Sequence, residues 1–73
     1  MEKQEWISTK KQLPTNYDEV LVCYYNSELH FTSVHIDRYD GYGRWEELQH
    51  SYNTLVWSVT YWMPLPEAPQ EVE

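Results

Sequence analysis

The stretch from residue 55 to 66 constrains the fold most, because it combines a strand pattern with a forced stop. Apolar side chains occupy every second position, at Leu55, Trp57, Val59, Tyr61 and Met63. Successive side chains of a strand point to opposite sides, so this spacing predicts a strand with one buried face. Pro64 and Pro66 end the ladder, because proline cannot donate a backbone hydrogen bond. The last element of the fold is therefore predicted to be a core strand, followed by a stiff, extended segment.

Two earlier segments also have the composition of strands. The run 19–25 is rich in β-branched and aromatic residues and apolar on both faces, which predicts a central strand covered on each side. A hairpin turn at 26–28 leads into the run 29–39. In that run Thr32, Val34 and Ile36 share one face, and Ser33, His35 and Asp37 share the other. One side is expected to pack and the other to face water.

The order of these segments predicts an antiparallel meander. A short edge strand at 6–8 opens the fold, residues 44–48 form either a strand or a short helical turn, and a polar loop at 49–54 precedes the last strand. Parallel strands would need crossovers of a dozen or more residues, for which the chain barely has room. The predicted fold class is all-β or β-rich α+β, a small antiparallel sheet of three to five short strands.

One domain is expected, because 73 residues are too few for two. It is placed at 6–66, between a flexible N-terminus at 1–5 and a disordered acidic tail at 67–73. The predicted structural core consists of Trp6, Val20, Val22, Trp57, Val59, Tyr61, Trp62 and Pro64. A chain this short buries only about 60% of its unfolded surface, so oligomerisation would reinforce it.

The turn around the two glycines is the candidate binding site. Asp40-Gly41 supplies the positive φ angles of a tight turn. The aromatic and cationic side chains around it are Tyr39, Tyr42, Arg44 and Trp45. Together they could stack on a planar ring and contact a phosphate. The alternative is that Tyr39 and Trp45 form a cross-strand core pair and Arg44 is a surface charge.

Metal and catalytic chemistry find little support in the residue pattern. His30 and His35 are five apart on a predicted strand and so point to opposite faces, and His50 lies in a separate loop. Cys23 lies in an apolar strand without an adjacent base, where a thiol behaves as a small hydrophobe. Glu46 and Glu47 are adjacent and so face opposite ways on a strand. We expect no metal, no cofactor and no enzymatic activity.

The net charge and the number of cysteines indicate which kinds of partner and which cellular compartment to expect. The net charge of −7 argues against binding nucleic acid or an anionic membrane and favours a basic partner, unless the acidity serves solubility alone. A single cysteine permits no intramolecular disulfide, which favours the cytosol. No secretion signal opens the chain and no apolar run approaches the ~20 residues of a membrane span. We expect a cytoplasmic protein.

Several short motifs together resemble one protein family. They are Trp6-Ile7-Ser8, Leu13-Pro14, Val20-Leu21-Val22, the run from Tyr39 to Trp45, and Tyr61-Trp62-Met63-Pro64-Leu65-Pro66. This set is similar to the family named domain of unknown function 551, over roughly residues 6 to 69. The resemblance implies a phage or prophage origin, and therefore the cytoplasm of a bacterial host. It supplies no catalytic residues.

Three functions are compatible with these observations. The first is a non-enzymatic phage or prophage accessory protein that binds and modulates a host or anti-phage-defence protein through an acidic, aromatic surface that mimics the charge pattern of a nucleic acid. The second is a homo-oligomer that binds or sequesters a small nucleotide-like molecule. The third is a structural domain without a ligand. The sequence favours the first, because it combines the resemblance with the negative charge.

Overall fold

The fold is one four-stranded antiparallel sheet with a short helix on one side. The computed structural model describes residues 5–66, and the predictions for residues 1–4 and for the tail at 67–73 lie outside this range. The elements are β1 (Ile7–Ser8), β2 (Glu19–Asn26), β3 (Phe31–Arg38), α1 (Glu46–Ser51) and β4 (Trp57–Pro64). The strand order is β1-β4-β2-β3, with every pairing antiparallel. The predicted fold class is confirmed.

Strand β2 is central, as its apolar composition predicts, but it is covered on one face only. Val20, Val22 and Tyr24 are buried under α1 and the segments beside it. Leu21, Cys23 and Tyr25 point to the opposite side and are partly exposed. The prediction of a strand covered on each side is therefore wrong for the single chain. Residues 5–66 contain one helix of six residues, which is enough to cover only one face.

Strand β3 packs on one side and is exposed on the other, as predicted, and the packed side is the one that carries Ser33, His35 and Asp37. Val34 and Ile36 are 59% and 50% exposed, whereas Asp37 is buried. The register with β2 decides which side packs, because Val22 pairs with His35 and Val20 with Asp37. Residues opposite each other in an antiparallel pair share a face, so the polar residues of β3 accompany the core residues of β2.

A β-bulge divides β4 into two parts. Cys23 pairs with Tyr61 and Tyr24 pairs with Val59, which leaves Thr60 as an extra residue on β4. The extra residue shifts the alternation by one position, so Val59 and Trp62 share the core face. Tyr61 falls on the other face and is 45% exposed, which corrects its assignment to the core. Thr9 fastens the bulge by donating to the carbonyls of Val59 and Thr60.

Two other residues assigned to the core are exposed. Pro64 is the last residue of β4, at the end of the sheet, and its side chain faces solvent. Trp6 precedes β1 and is 40% exposed. Strand alternation places Trp6 on the side opposite Ile7, which packs against the core. Leu55, predicted to open the last strand, lies instead in the turn before β4 and is exposed.

The core is largely aromatic. The buried residues that form it are Val20, Val22, Tyr24, Tyr39, Trp45, Leu48 and Trp62. Trp57 and Val59, both assigned to the core, are half-buried and pack against this cluster. The indole of Trp62 donates from Nε1 to the carbonyl oxygen of Gln12 at 2.9 Å. Trp62 therefore joins the sheet to the turn that follows β1.

Truncation of Trp62 tests the core assignment. Trp62→Ala should lower the free energy of unfolding by about 3–5 kcal/mol, because it leaves a cavity and removes the bond to Gln12. For a domain this small such a loss approaches the whole stability. Urea unfolding followed by circular dichroism measures it. Tyr42→Ala is the control, since Tyr42 is 87% exposed and should unfold like the parent. Equal midpoints for both variants would contradict the assignment.

Candidate functional site

The helix is held to the sheet by a buried carboxylate. Asp37 is 4% exposed and accepts four hydrogen bonds, from the Tyr24 hydroxyl and from the backbone N–H groups of Arg38, Glu47 and Leu48. Two of these donors are unpaired N–H groups in the first turn of α1. The N-cap residue itself, Trp45, makes no capping bond through its side chain. Asp37 therefore caps the helix from the neighbouring strand.

Tyr24 lies at the centre of an aromatic cluster that this carboxylate orders. Its hydroxyl donates to Asp37 at 2.6 Å, and its ring stacks on His35 with 4.2 Å between ring centroids. The rings of Tyr52 and Trp57 also lie against the Tyr24 ring, in T-shaped arrangements. Burial, reinforced by the bond to Asp37, raises the pKa of Tyr24 well above its usual range. The phenol stays protonated and donates.

The glycine turn is built as its sequence predicts. Gly41 and Gly43 have φ angles of 84° and 89°, which favour glycine over other residues. Asp40 accepts bonds from the backbone N–H groups of Tyr42 and Arg44, and its Oδ2 lies 3.3 Å from Nε of Arg44. The bond from the Tyr42 N–H, aided by those from Arg44, lowers the pKa of Asp40. The turn thus presents Arg44 at a fixed place.

An open groove lies between α1 and the part of the sheet that the helix leaves uncovered. Its volume is about 720 Å³, within the range of small-molecule sites. The apolar and aromatic side chains of the lining are Leu13, Tyr39, Trp45, Leu48, Tyr52, Trp57 and Val59. Thr9, Arg44, Gln49 and Thr54 supply polar groups. This groove is the candidate functional site.

The predicted site residues divide between the groove and the surface. Tyr39 and Trp45 are buried, with ring centroids 5.1 Å apart and a backbone bridge between them. They form the cross-strand core pair of the alternative interpretation, so only a small part of each side chain is accessible in the lining of the groove. Arg44 is exposed at the groove. Tyr42 points into solvent and does not line it.

The sequence analysis missed the residues that give the groove its shape. Tyr52 and Gln49 come from the segment interpreted as a polar loop, whereas residues 46–51 form α1. Trp57 was assigned to the core, but it is only half-buried and lines the groove. The available signal was the aromatic spacing of Trp45, Tyr52 and Trp57 around a short apolar-polar run. This spacing predicts a shared groove only when the position of α1 is known.

The described residues show no second kind of site. Between residues 5 and 66, no three His, Cys, Asp or Glu side chains lie close enough together to hold a metal ion. Burial raises the pKa of the Cys23 thiol, which disfavours the nucleophilic thiolate. In the same part of the chain, no helix has the length and apolar character needed to cross a membrane.

Comparison with known proteins supports the family resemblance. The model of a family described as "Protein of unknown function (DUF551)" matches residues 5–70, nearly the whole chain. This match confirms the resemblance found in the sequence motifs. Comparisons with curated proteins and with solved structures find no match.

Neutralisation of Asp37 tests its role in holding the helix. Asp37→Asn should cost about 2 kcal/mol or more, because a charged acceptor is lost and an amide N–H₂ group replaces one of its oxygens. Urea unfolding gives the free energy, and amide hydrogen exchange at Glu47 and Leu48 reports the helix N-terminus. The matched control is Asp40→Asn in the exposed turn, where the loss should be much smaller. Unchanged exchange at Glu47 and Leu48 in Asp37→Asn would contradict the capping role.

Proposed function

We propose that this chain, which belongs to the DUF551 family, is a non-enzymatic protein that binds a small planar, anionic molecule such as a nucleotide. The observation that carries the proposal is the open aromatic groove of about 720 Å³ beside Arg44. A groove of this size fits a small molecule better than the flat surface typical of protein contacts.

The aromatic lining supports a planar ligand. Tyr52 and Trp57 are half-buried, and their ring centroids lie 5.2 Å apart at an interplanar angle of 70°. They therefore present one ring face and one ring edge rather than two parallel faces. Stacking on aromatic side chains is worth about 1–3 kcal/mol per base and tolerates any planar ring. The half-buried pair is fixed by Tyr24, which contacts both rings.

Arg44 supports an anionic group on the ligand. Asp40 engages the guanidinium through Nε, and within residues 5–66 the two terminal nitrogens of Arg44 make no hydrogen bond. Their fork geometry matches a phosphate or carboxylate. Because the chain is strongly acidic, a local cation is needed to hold an anion there. The hydroxyl and amide groups of Thr9, Thr54 and Gln49 can add neutral hydrogen bonds.

Binding without chemistry is the simplest use of these groups. The buried carboxylate nearest the groove, that of Asp37, already accepts four hydrogen bonds and has no further lone pair for a substrate. Its partner Tyr24 holds its proton firmly because its pKa is raised. A protein of this kind would act by holding or sequestering its ligand.

A host or anti-phage-defence protein is the second candidate partner, within the phage or prophage origin that the family resemblance implies. The exposed side chains of Tyr42, in the glycine turn, and of the acidic Glu46 and Glu47, at the start of α1, suit a basic protein surface. This candidate is weaker, because two of its four proposed contact residues, Tyr39 and Trp45, are buried.

A thermal-shift experiment with defined probes tests the groove. Purified protein is heated with nucleoside monophosphates, nucleosides or inorganic phosphate. A ligand at about 100 times its Kd stabilises by about 2.7 kcal/mol, which raises the Tm of a domain this small by roughly 10 °C. We expect monophosphates to act more strongly than nucleosides, and phosphate alone to act weakly. If none of the probes raises the Tm, the proposal is wrong.

Two variants locate the binding. Arg44→Gln should weaken monophosphate binding about tenfold or more, through loss of a charge-assisted bond, and should leave nucleoside binding nearly unchanged. Tyr42→Ala is the control outside the groove and should bind like the parent. Binding that depends on Tyr42 and not on Arg44 would move the site to the tip of the turn.

A further inference from the structure

The side of the sheet opposite the helix is largely apolar, and most of it stays accessible in residues 5–66, although Met63 on this side is buried. The register aligns its residues in three rows across the strands. The rows, named together the outer face, are Trp6, Met63, Leu21 and Ile36, then Ser8, Tyr61, Cys23 and Val34, and finally Ser58, Tyr25 and Thr32. Trp6 is included by strand alternation, since it precedes β1. Six of these eleven residues are exposed in the single chain. They are Trp6, Thr32, Val34, Ile36, Ser58 and Tyr61.

The three rows of the outer face carry no charge, and the next row on the same side of the sheet, Glu19 paired with Arg38, adds one charge of each sign. None of its eleven residues is acidic or basic, although charged residues make up 23% of the protein. A basic partner would be recognised by acidic side chains, which this face lacks. Two copies that each carry a net charge of −7 repel each other. A contact surface without acidic side chains adds least to this repulsion. The missing charge therefore favours a second copy over a basic protein.

The area of the outer face is near what a weak dimer needs. Four strands about 4.8 Å apart and three rows about 6.8 Å apart, with their side chains, expose roughly 600 Å². Two such faces would bury about 1,200 Å² in total, at the lower limit for specific protein interfaces. The contact would also remove the exposed apolar surface of Val34 and Ile36 from water.

The pattern of the face is self-complementary about a two-fold axis along β2. Such an axis places β3 of each copy opposite β4 of the other. Val34 then faces the exposed Tyr61 of the second copy, and Ile36 lies over the row of Met63, which is only 6% exposed. In the middle row an exposed aliphatic side chain of each copy thus meets an exposed aromatic one of the other. Cys23, in the middle row of the central strand, comes to lie near the axis.

We infer that the outer face is the interface of a homodimer, in which two sheets pack face to face with Cys23 at the centre. This inference does not depend on the proposed ligand, because the groove is lined mainly by the core side of the sheet and shares only Ser58 with the outer face. Packed sheets lie about 10 Å apart, so the side chains of the two faces interdigitate. The small area predicts a dimer that dissociates on dilution.

Sedimentation equilibrium over a range of protein concentrations tests the dimer. We expect the mass to rise from 8.9 kDa towards twice that value with a Kd in the micromolar range. Added NaCl should strengthen the association, because it screens the repulsion between two acidic copies. The reactivity of the Cys23 thiol towards a maleimide should fall as the dimer forms, which places the contact on this face.

A matched pair of variants makes the test specific. Val34→Lys should weaken self-association about tenfold or more, since the contact would bury an unpaired ammonium group, and should keep Cys23 reactive at every concentration. Leu55→Lys introduces the same charge at another exposed apolar residue, away from the face, and should dimerise like the parent. A monomer throughout the range, or a dimer in which Cys23 stays reactive, would overturn the inference.

Discussion

The hydrogen bonds of Asp37 are the interaction on which the rest of the structure depends. An isolated helix of six residues is unstable in water, because nucleation costs more than so few bonds return. Asp37 offsets this cost by binding the first turn of α1 to β3, and the Tyr24 hydroxyl fixes the carboxylate in place. The helix then carries Leu48 into the core and brings Tyr52 beside Trp57. The groove exists because the helix is held there.

Much of the fold follows from local patterns in the sequence. The run 19–25 and the stretch before Pro64 have the β-branched and aromatic composition of strands, and both are strands. The pair Gly41 and Gly43 marks the turn, where positive φ angles are needed. These features depend on residues close together in the chain, which is why composition and spacing are enough to predict them.

The faces of the strands, and with them the site, follow from long-range contacts that local patterns do not contain. Burial of Asp37 and exposure of Val34 result from a register shared with β2, and a shift of one residue would reverse both. The bulge at Thr60 likewise moves Tyr61 out of the core and Trp62 into it. Asp37 and the helix it caps are about ten residues apart, so no capping pattern of adjacent residues signals the bond.

The two sides of the sheet serve different purposes in the proposed function, ligand binding on the core side and self-association on the outer face. The helix covers only part of the core face, so this side has a recess lined by aromatic rings. The outer face has no helix to cover it, and Trp6, Val34, Ile36 and Tyr61 on it stay exposed in the single chain. The single helix in residues 5–66 covers only one side of the sheet, and a second copy can cover the other. Pairing through the outer faces would leave the two grooves pointing away from each other, each open to solvent. Association and ligand binding could then proceed independently.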